Sequence, residues 1–336
     1  MWKTLRDGSV PLTITGLLML PVLAAALIGL LVDPRIVTGA PVWLKPAKFA
    51  ASIALYTFTL AWILTFLPAW IRTRRIVGWT TAVALTVEMV IIALQAGRGI
   101  TSHFNVATLF DGVLWTVMGL VIVIQTLTSV AVAAALWQQT FADRALGWAL
   151  RLGMTITIVG AFSGGLMARP TDAQLSSARQ GERMTVSGAH TVGAPDGGPG
   201  LPGTGWSTEH GDLRVAHFVG LHALQVLPLI AIGLRRRRLP HTLRVPLVLT
   251  TGGSYVAMLA MLVWQALRGQ SVLAPDPLTL AVLGAWSALT FAAVAVVLLT
   301  ARRAGPLVAV EGSPIGSGTG FDSVARRPSR PCGVSS

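Results

Sequence analysis

The sequence predicts an all-α integral membrane protein with eight transmembrane helices, arranged as two parallel four-helix repeats. Three observations predict it. Hydrophobic residues make up 53% of the 336 positions and charged residues only 12%, with a mean hydropathy of +0.67; a soluble domain of this length carries far more surface charge. Eight apolar runs are each long enough to cross a hydrocarbon layer of ~30 Å at ~1.5 Å per residue. And short polar motifs in the first half return in the second about 170 residues later.

The first run, 12–32 (LTITGLLMLPVLAAALIGLLV), follows Lys3 and Arg6. Its length and the lack of a small-residue cleavage site favour a retained helix over a signal peptide. The others lie near 48–70, 76–97, 109–137, 146–168, 214–234, 243–267 and 277–300. The fifth is the least regular, with Arg151 inside it and glycines at 164 and 165. The connections expected on one side are 33–47, 98–108, 169–213 and 268–276. The long one contains GAPDGGPGLPGTGW, whose glycine and proline density opposes helix and strand. A loop of that length is functional or disordered. The expected organisation is a short N-terminus (1–11), a first repeat (12–137), a second repeat (138–300) that includes loop 169–213, and a disordered tail (301–336).

The formal net charge is +13. In a soluble protein that would point to nucleic acid; here the arginines cluster in short connections, as a topology signal. Lys3, Arg6, RTRR (72–75), RRRR (235–238), Arg302 and Arg303 all fall on one side of an eight-span chain. That side is cytoplasmic by the positive-inside rule, so both termini are inside and the protein is a multi-pass protein of the cell (inner) membrane. The lone cysteine, Cys332, excludes an intrachain disulfide and any thiolate metal site. No P-loop, GxSxG, HExxH or dinucleotide fingerprint occurs.

The repeat rests on two alignments. KPAKFAASIALYTFTL from Lys45 matches RVAHFVGLHALQVLPL from Arg214, placing Lys45 on Arg214 and Lys48 on His217. QAGRG at 95–99 recurs as QALRG at 265–269, pairing Gln95 with Gln265 and Arg98 with Arg268. Trp115 and Trp286 continue the register. Equal orientation of both halves follows from the even number of spans in each, the arrangement of parallel repeats.

The repeat gathers polar residues at one end of the bundle, and that end is the candidate functional face. Glu88 lies about 15 Å inward of Arg98 by helical rise, a depth at which an ionisable group is costly and faces protein or a wet cavity. Gln95 shares its helix face. His222 lies at a similar depth, with Gln225 on its face, whereas His217 is nearer the interface beside Arg214. Glu88 and His222 are candidates for proton transfer. His217 and His222 are candidates for metal ligation, although five residues turn about 140° on one helix and keep them from sharing an atom. Lys45, Lys48, Gln95, Arg98, His103, Arg214, Gln225, Gln265 and Arg268 complete the candidate binding set. The expected geometry is a cavity lined by Glu88, His222 and Gln225, rimmed by Lys45, Arg98 and Arg214, with loop 169–213 as its lid. Loop histidines 190 and 210 and Asp111 have a smaller claim: solvated side chains, and a helix start favoured by its dipole.

Imidazole ringed by arginine and lysine suits haem, the ring nitrogen ligating iron and the cations pairing propionates. Eight helices in two parallel bundles resemble the architecture of the haem A synthase family. That family carries histidines on the second and fourth helix of each bundle; here only the sixth helix carries them. The resemblance implies at most one axial ligand, His217 or His222. Three functions remain open from sequence: a haem-binding or redox protein, a transporter or receptor for a small anion or lipid headgroup with Glu88 as the proton-coupled group, or a scaffold in which polar residues are interhelical glue. Whether it is an enzyme stays undecided.

Overall fold

The computed structural model describes residues 2–303. The expectations for the tail from about residue 304 and for Cys332 lie outside the described residues. Among the described residues ten α-helices carry the fold: α1 (Trp2–Gly8), α2 (Val10–Val32), α3 (Leu44–Leu64), α4 (Ile71–Arg98), α5 (Leu109–Gln138), α6 (Arg144–Met167), α7 (Asp172–Arg179), α8 (Leu213–Arg236), α9 (His241–Leu267) and α10 (Pro277–Arg303). Eight of them, all but α1 and α7, are long and apolar enough to cross a membrane. Two hairpins of two-residue strands complete it: β1 (Ile36–Val37) with β2 (Ala40–Pro41), and β3 (Thr191–Val192) with β4 (Gly211–Asp212).

Helix edges follow local chemistry. Asp143 and Asp212 cap α6 and α8 by accepting backbone N–H bonds, Thr108 caps α5, and Thr171 forms a capping box with Gln174 on α7. Two edges depart from expectation. The second span ends at Leu64 instead of running to 70, ahead of Pro68, which cannot donate a helical bond. The third begins at Ile71, so RTRR is not a linker but the first turns of α4. Arginine is a good helix former, and its long stem lets the charge reach water from a helix end.

Each half packs in the same way. In the first, α2 lies on α3, α3 on α4, α4 on α5, and α2 also on α4; in the second, α6 lies on α8, α8 on α9, α9 on α10, and α6 also on α9. The halves join through α5 and α6 and through one core that includes Leu60 and Leu64 of α3, Leu136 of α5, Leu150 and Met154 of α6, and Leu224 and Leu227 of α8. The most extensive helix pair is α6 against α8. A Cβ on Gly160 would fall 2.5 Å from Gly220 backbone, and one on Gly153 3.0 Å from the Ala223 carbonyl. Small residues bring membrane helices to this distance, where dispersion and interhelical hydrogen bonds replace the hydrophobic drive. Thr157, between them, accepts from Leu224 N–H and donates to the Leu221 carbonyl.

Loop 169–213 lies against the same end of the bundle as the 33–43 and 99–108 connections. Thr185 accepts from Val106 N–H, and Phe104 accepts from Ser187 N–H. A Cβ on Gly39 would fall 2.5 Å from the Gly197 carbonyl, so the two loops touch through backbone. The Gly/Pro stretch forms no helix or strand, as expected, yet it is fixed in place by side chains described next.

Candidate functional site

The two recurring motifs end alike. Gly99 and Gly269 both adopt the left-handed conformation, at φ 73° and 71°, which glycine takes without a steric penalty. Just before them, Arg98 pairs with Asp111 at the start of α5 at 2.5 Å, and Arg268 pairs with Asp276 before α10 at 2.5 Å. Gln95 donates to Asp111 and is itself bonded by Arg98. Gln265 donates to the Ser271 carbonyl. These four candidate binding residues thus tie a helix end to the next helix start. Asp111, read from sequence as a dipole-favoured residue, is 3% exposed and the hub of its network.

Glu88 is 3% exposed. Its Oε1 lies 3.5 Å from His103 Nε2, and its Oε2 has no protein partner. At 3.5 Å, a proton passes only after a small approach of the two groups. The charge that acts on Glu88 is that of Lys45, whose ammonium stands 5.9 Å from the Phe49 ring centre. His103 sits in an aromatic box of Phe49, Phe104 and Trp115, at centroid distances of 5.7, 6.1 and 5.4 Å. Ser102 Oγ reaches its Nδ1 at 3.2 Å. Burial holds the His103 pKa well below 6.5, and the charges of Lys45, His190 and His217 push the same way, so the imidazole is neutral at neutral pH.

The long loop supplies a second pair. His190 Nδ1 lies 2.6 Å from Asp196, which also accepts the backbone N–H of His190 and Thr191. The His190 ring stands edge-on to Phe104 at 4.8 Å. Burial lowers the His190 pKa, with Asp196 opposing the shift. Burial raises that of Asp196, but the hydrogen bonds from His190 and Thr191 outweigh it and hold the carboxyl below its usual range. Loop histidines are normally solvated, so sequence alone does not single out His190; the fold of the Gly/Pro stretch brings Asp196 to it.

The other candidates have separate surroundings. Lys48 donates to the Thr204 carbonyl at 2.6 Å, and Arg214 to the Gly205 carbonyl at 2.6 Å while pairing with Asp212. Loop carbonyls thus hold one cation of the expected rim, Arg214, together with Lys48. His217 donates from Nδ1 to the Gly160 carbonyl at 2.8 Å, in space left by Gly164, where a Cβ would fall 2.9 Å from its ring. His222 donates from Nδ1 to Phe218 of its own helix and stacks on that ring at 4.0 Å. Gln225 donates to Thr59 of α3. The imidazole at Glu88 is His103, whereas His222 and Gln225, expected to line a cavity with Glu88, bond to Phe218 and Thr59. The reason is packing, since α8 lies on α6 and α9, and α4 on α5, α3 and α2.

Among the described residues, no three His, Cys, Asp or Glu side chains converge as metal ligands. His217 and His222 each keep Nδ1 on a backbone carbonyl, so Nε2 is the nitrogen not engaged by that bond. That fits one axial donor, not a two-sided site.

Acidification provides a measurement. Both His103 and His190 have lowered pKa values, so the folded state resists protonation while the unfolded chain binds a proton near pH 6.5. The contribution of these two histidines to stability is flat above that pH and falls below it, by up to about 1.4 kcal/mol per pH unit for each histidine that stays neutral. Unfolding midpoints in detergent at pH 8, 6.5 and 5 check this; His103→Gln must flatten the acid limb, and an unchanged limb refutes the assignment. Compared with family models, curated proteins and solved structures, the chain matches none.

Proposed function

We propose that this multi-pass membrane protein exchanges protons at its outer end and couples the exchange to a small anion, as a transporter or receptor. The observation that supports this reading is Glu88: a buried carboxyl with one oxygen 3.5 Å from a neutral imidazole and the other without a protein partner. A group kept in that state at membrane depth is costly unless it is used. Lys45 adds a cation, and Lys48 and Arg214 add two more whose present acceptors are loop carbonyls. Lifting the loop frees both for an anion. The matched packing of the two halves, the paired left-handed glycines and the paired Arg–Asp bridges support a tandem duplication.

The test is purified protein in proteoliposomes with an internal pH dye and a panel of small anions: acetate, lactate, phosphate and sulfate. Proton movement that depends on one anion and saturates with it is the expected result. If no anion moves protons and none raises the unfolding midpoint, the reading fails. Orientation is tested in a Cys332→Ser background. Cysteine at Gly198 reacts with an impermeant reagent in intact cells and cysteine at Leu239 does not; the reverse pattern places the site inside.

Haem is a second reading, supported by the free Nε2 of His217 and His222. Iron held there would supply electron transfer, with Arg214 available to a propionate. A Soret band lost in His217→Ala or His222→Ala would favour it, and a colourless protein removes it.

A further inference from the structure

The opposite end of α4 carries a different site. A pocket of about 280 Å³ lies where α1, α2 and α4 meet, lined by Arg6, Ser9, Arg74, Arg75 and Trp79 among others. None of these three arginines takes part in a salt bridge among the described residues. Arg74 is oriented by its Nη2, which donates to the Asp7 carbonyl and, at 3.1 Å, to the Gly8 carbonyl at the end of α1. Its Nε is buried and has no protein partner. Ser9, 8% exposed, precedes α2 without a side-chain capping bond. Its hydroxyl is pressed against Gly78, where a Cβ would fall 2.4 Å away. Trp79 is 58% exposed beside them, as an interfacial anchor is.

We propose that this pocket binds a phosphate group. Three guanidiniums with no carboxylate partner concentrate positive charge on a small volume. A tetrahedral anion offers enough oxygens to serve several guanidinium N–H donors and a hydroxyl together, where a single carboxylate serves one fork. Arg74 is already held by backbone, so little ordering remains to be done on binding. The phosphate can belong to an anionic lipid headgroup, since basic pockets between helices at a membrane surface take such groups, or to a free phosphate ion. The site lies about 20 Å along α4 from Glu88 by helical rise and does not depend on the function proposed for that residue.

The test titrates the full chain in detergent with short-chain phosphatidylglycerol, short-chain phosphatidylcholine and inorganic phosphate, reading the unfolding midpoint. Arg6→Gln/Arg75→Gln removes two lining charges that are in no salt bridge among the described residues and leaves Arg74 in place; Arg302→Gln/Arg303→Gln removes two charges elsewhere. Wild type and the second variant should saturate alike, and the first should need at least tenfold more ligand. Response to phosphatidylglycerol alone assigns the group to a lipid; competition by inorganic phosphate assigns it to the free ion. Equal titration of all three proteins, or equal loss in both variants, overturns the proposal.

Discussion

Gly160→Val lowers the unfolding free energy by at least about 3 kcal/mol, the upper range for overpacking a tight interface. The added carbons have nowhere to go. The first of them would fall 2.5 Å from the Cα and carbonyl carbon of Gly220, well inside the ~3.5 Å at which carbon atoms attract. The obstacle is backbone, so no rotamer relieves it and the helices must part. Parting them stretches the Thr157 bridge to Leu221 and Leu224 and the His217 bond to the Gly160 carbonyl. Gly165→Ala is the control. Nothing lies within 4 Å of a Cβ there, and alanine is the better helix former, so it should leave stability unchanged or raise it by up to about 1 kcal/mol. Unfolding in mixed micelles measures both. A Gly160→Val protein within 1 kcal/mol of wild type means α6 and α8 do not meet as described.

This interface shows what the sequence could and could not reveal. Apolar runs of about 20 residues announce spans directly, because lipid admits little else that satisfies its own backbone. The eight spans were therefore legible, as was the kinship of QAGRG with QALRG. Of the glycines at 153, 160 and 164 that face α8, only Gly164 stood out in the sequence, as part of the irregularity of the fifth helix. Their use depends on which helix faces them, and apolar periodicity carries little such information when lipid and core are both apolar. The same limit applies to the site. Glu88 was picked out by its cost at depth, and depth is readable from sequence. Its partner was not: His222 has the right height but belongs to a helix packed elsewhere, whereas His103 descends from a loop whose path no periodicity records. His190 and Asp196 meet across a short loop in which Gly193 takes a left-handed turn, with φ 93°.

Glu88→Gln should slow proton exchange at least about 100-fold, the lower end of what a positioned acid–base group contributes, while changing stability by less than about 1 kcal/mol. The two halves of that expectation have separate causes. The amide keeps the volume of the carboxyl, so the packing of α4 is undisturbed. It also removes an ionisable group from a site where ionisation is expensive, so the folded state loses nothing it needs. What it cannot do is release and regain a proton. His103→Gln should slow exchange less, because Glu88 stays ionisable and can be reached by another donor. Adding His103→Gln to Glu88→Gln should cost nothing further, since two groups that pass one proton between them act as a unit. His222→Ala should leave exchange near wild type, because its ring is bonded to Phe218 and stacked on it rather than turned to the carboxyl. Initial rates of internal pH change in proteoliposomes, normalised to reconstituted protein, measure all four variants. Wild-type rates in Glu88→Gln exclude this carboxyl from proton exchange. Rates cut equally by Glu88→Gln and His222→Ala would instead favour the shared cavity expected from depth alone.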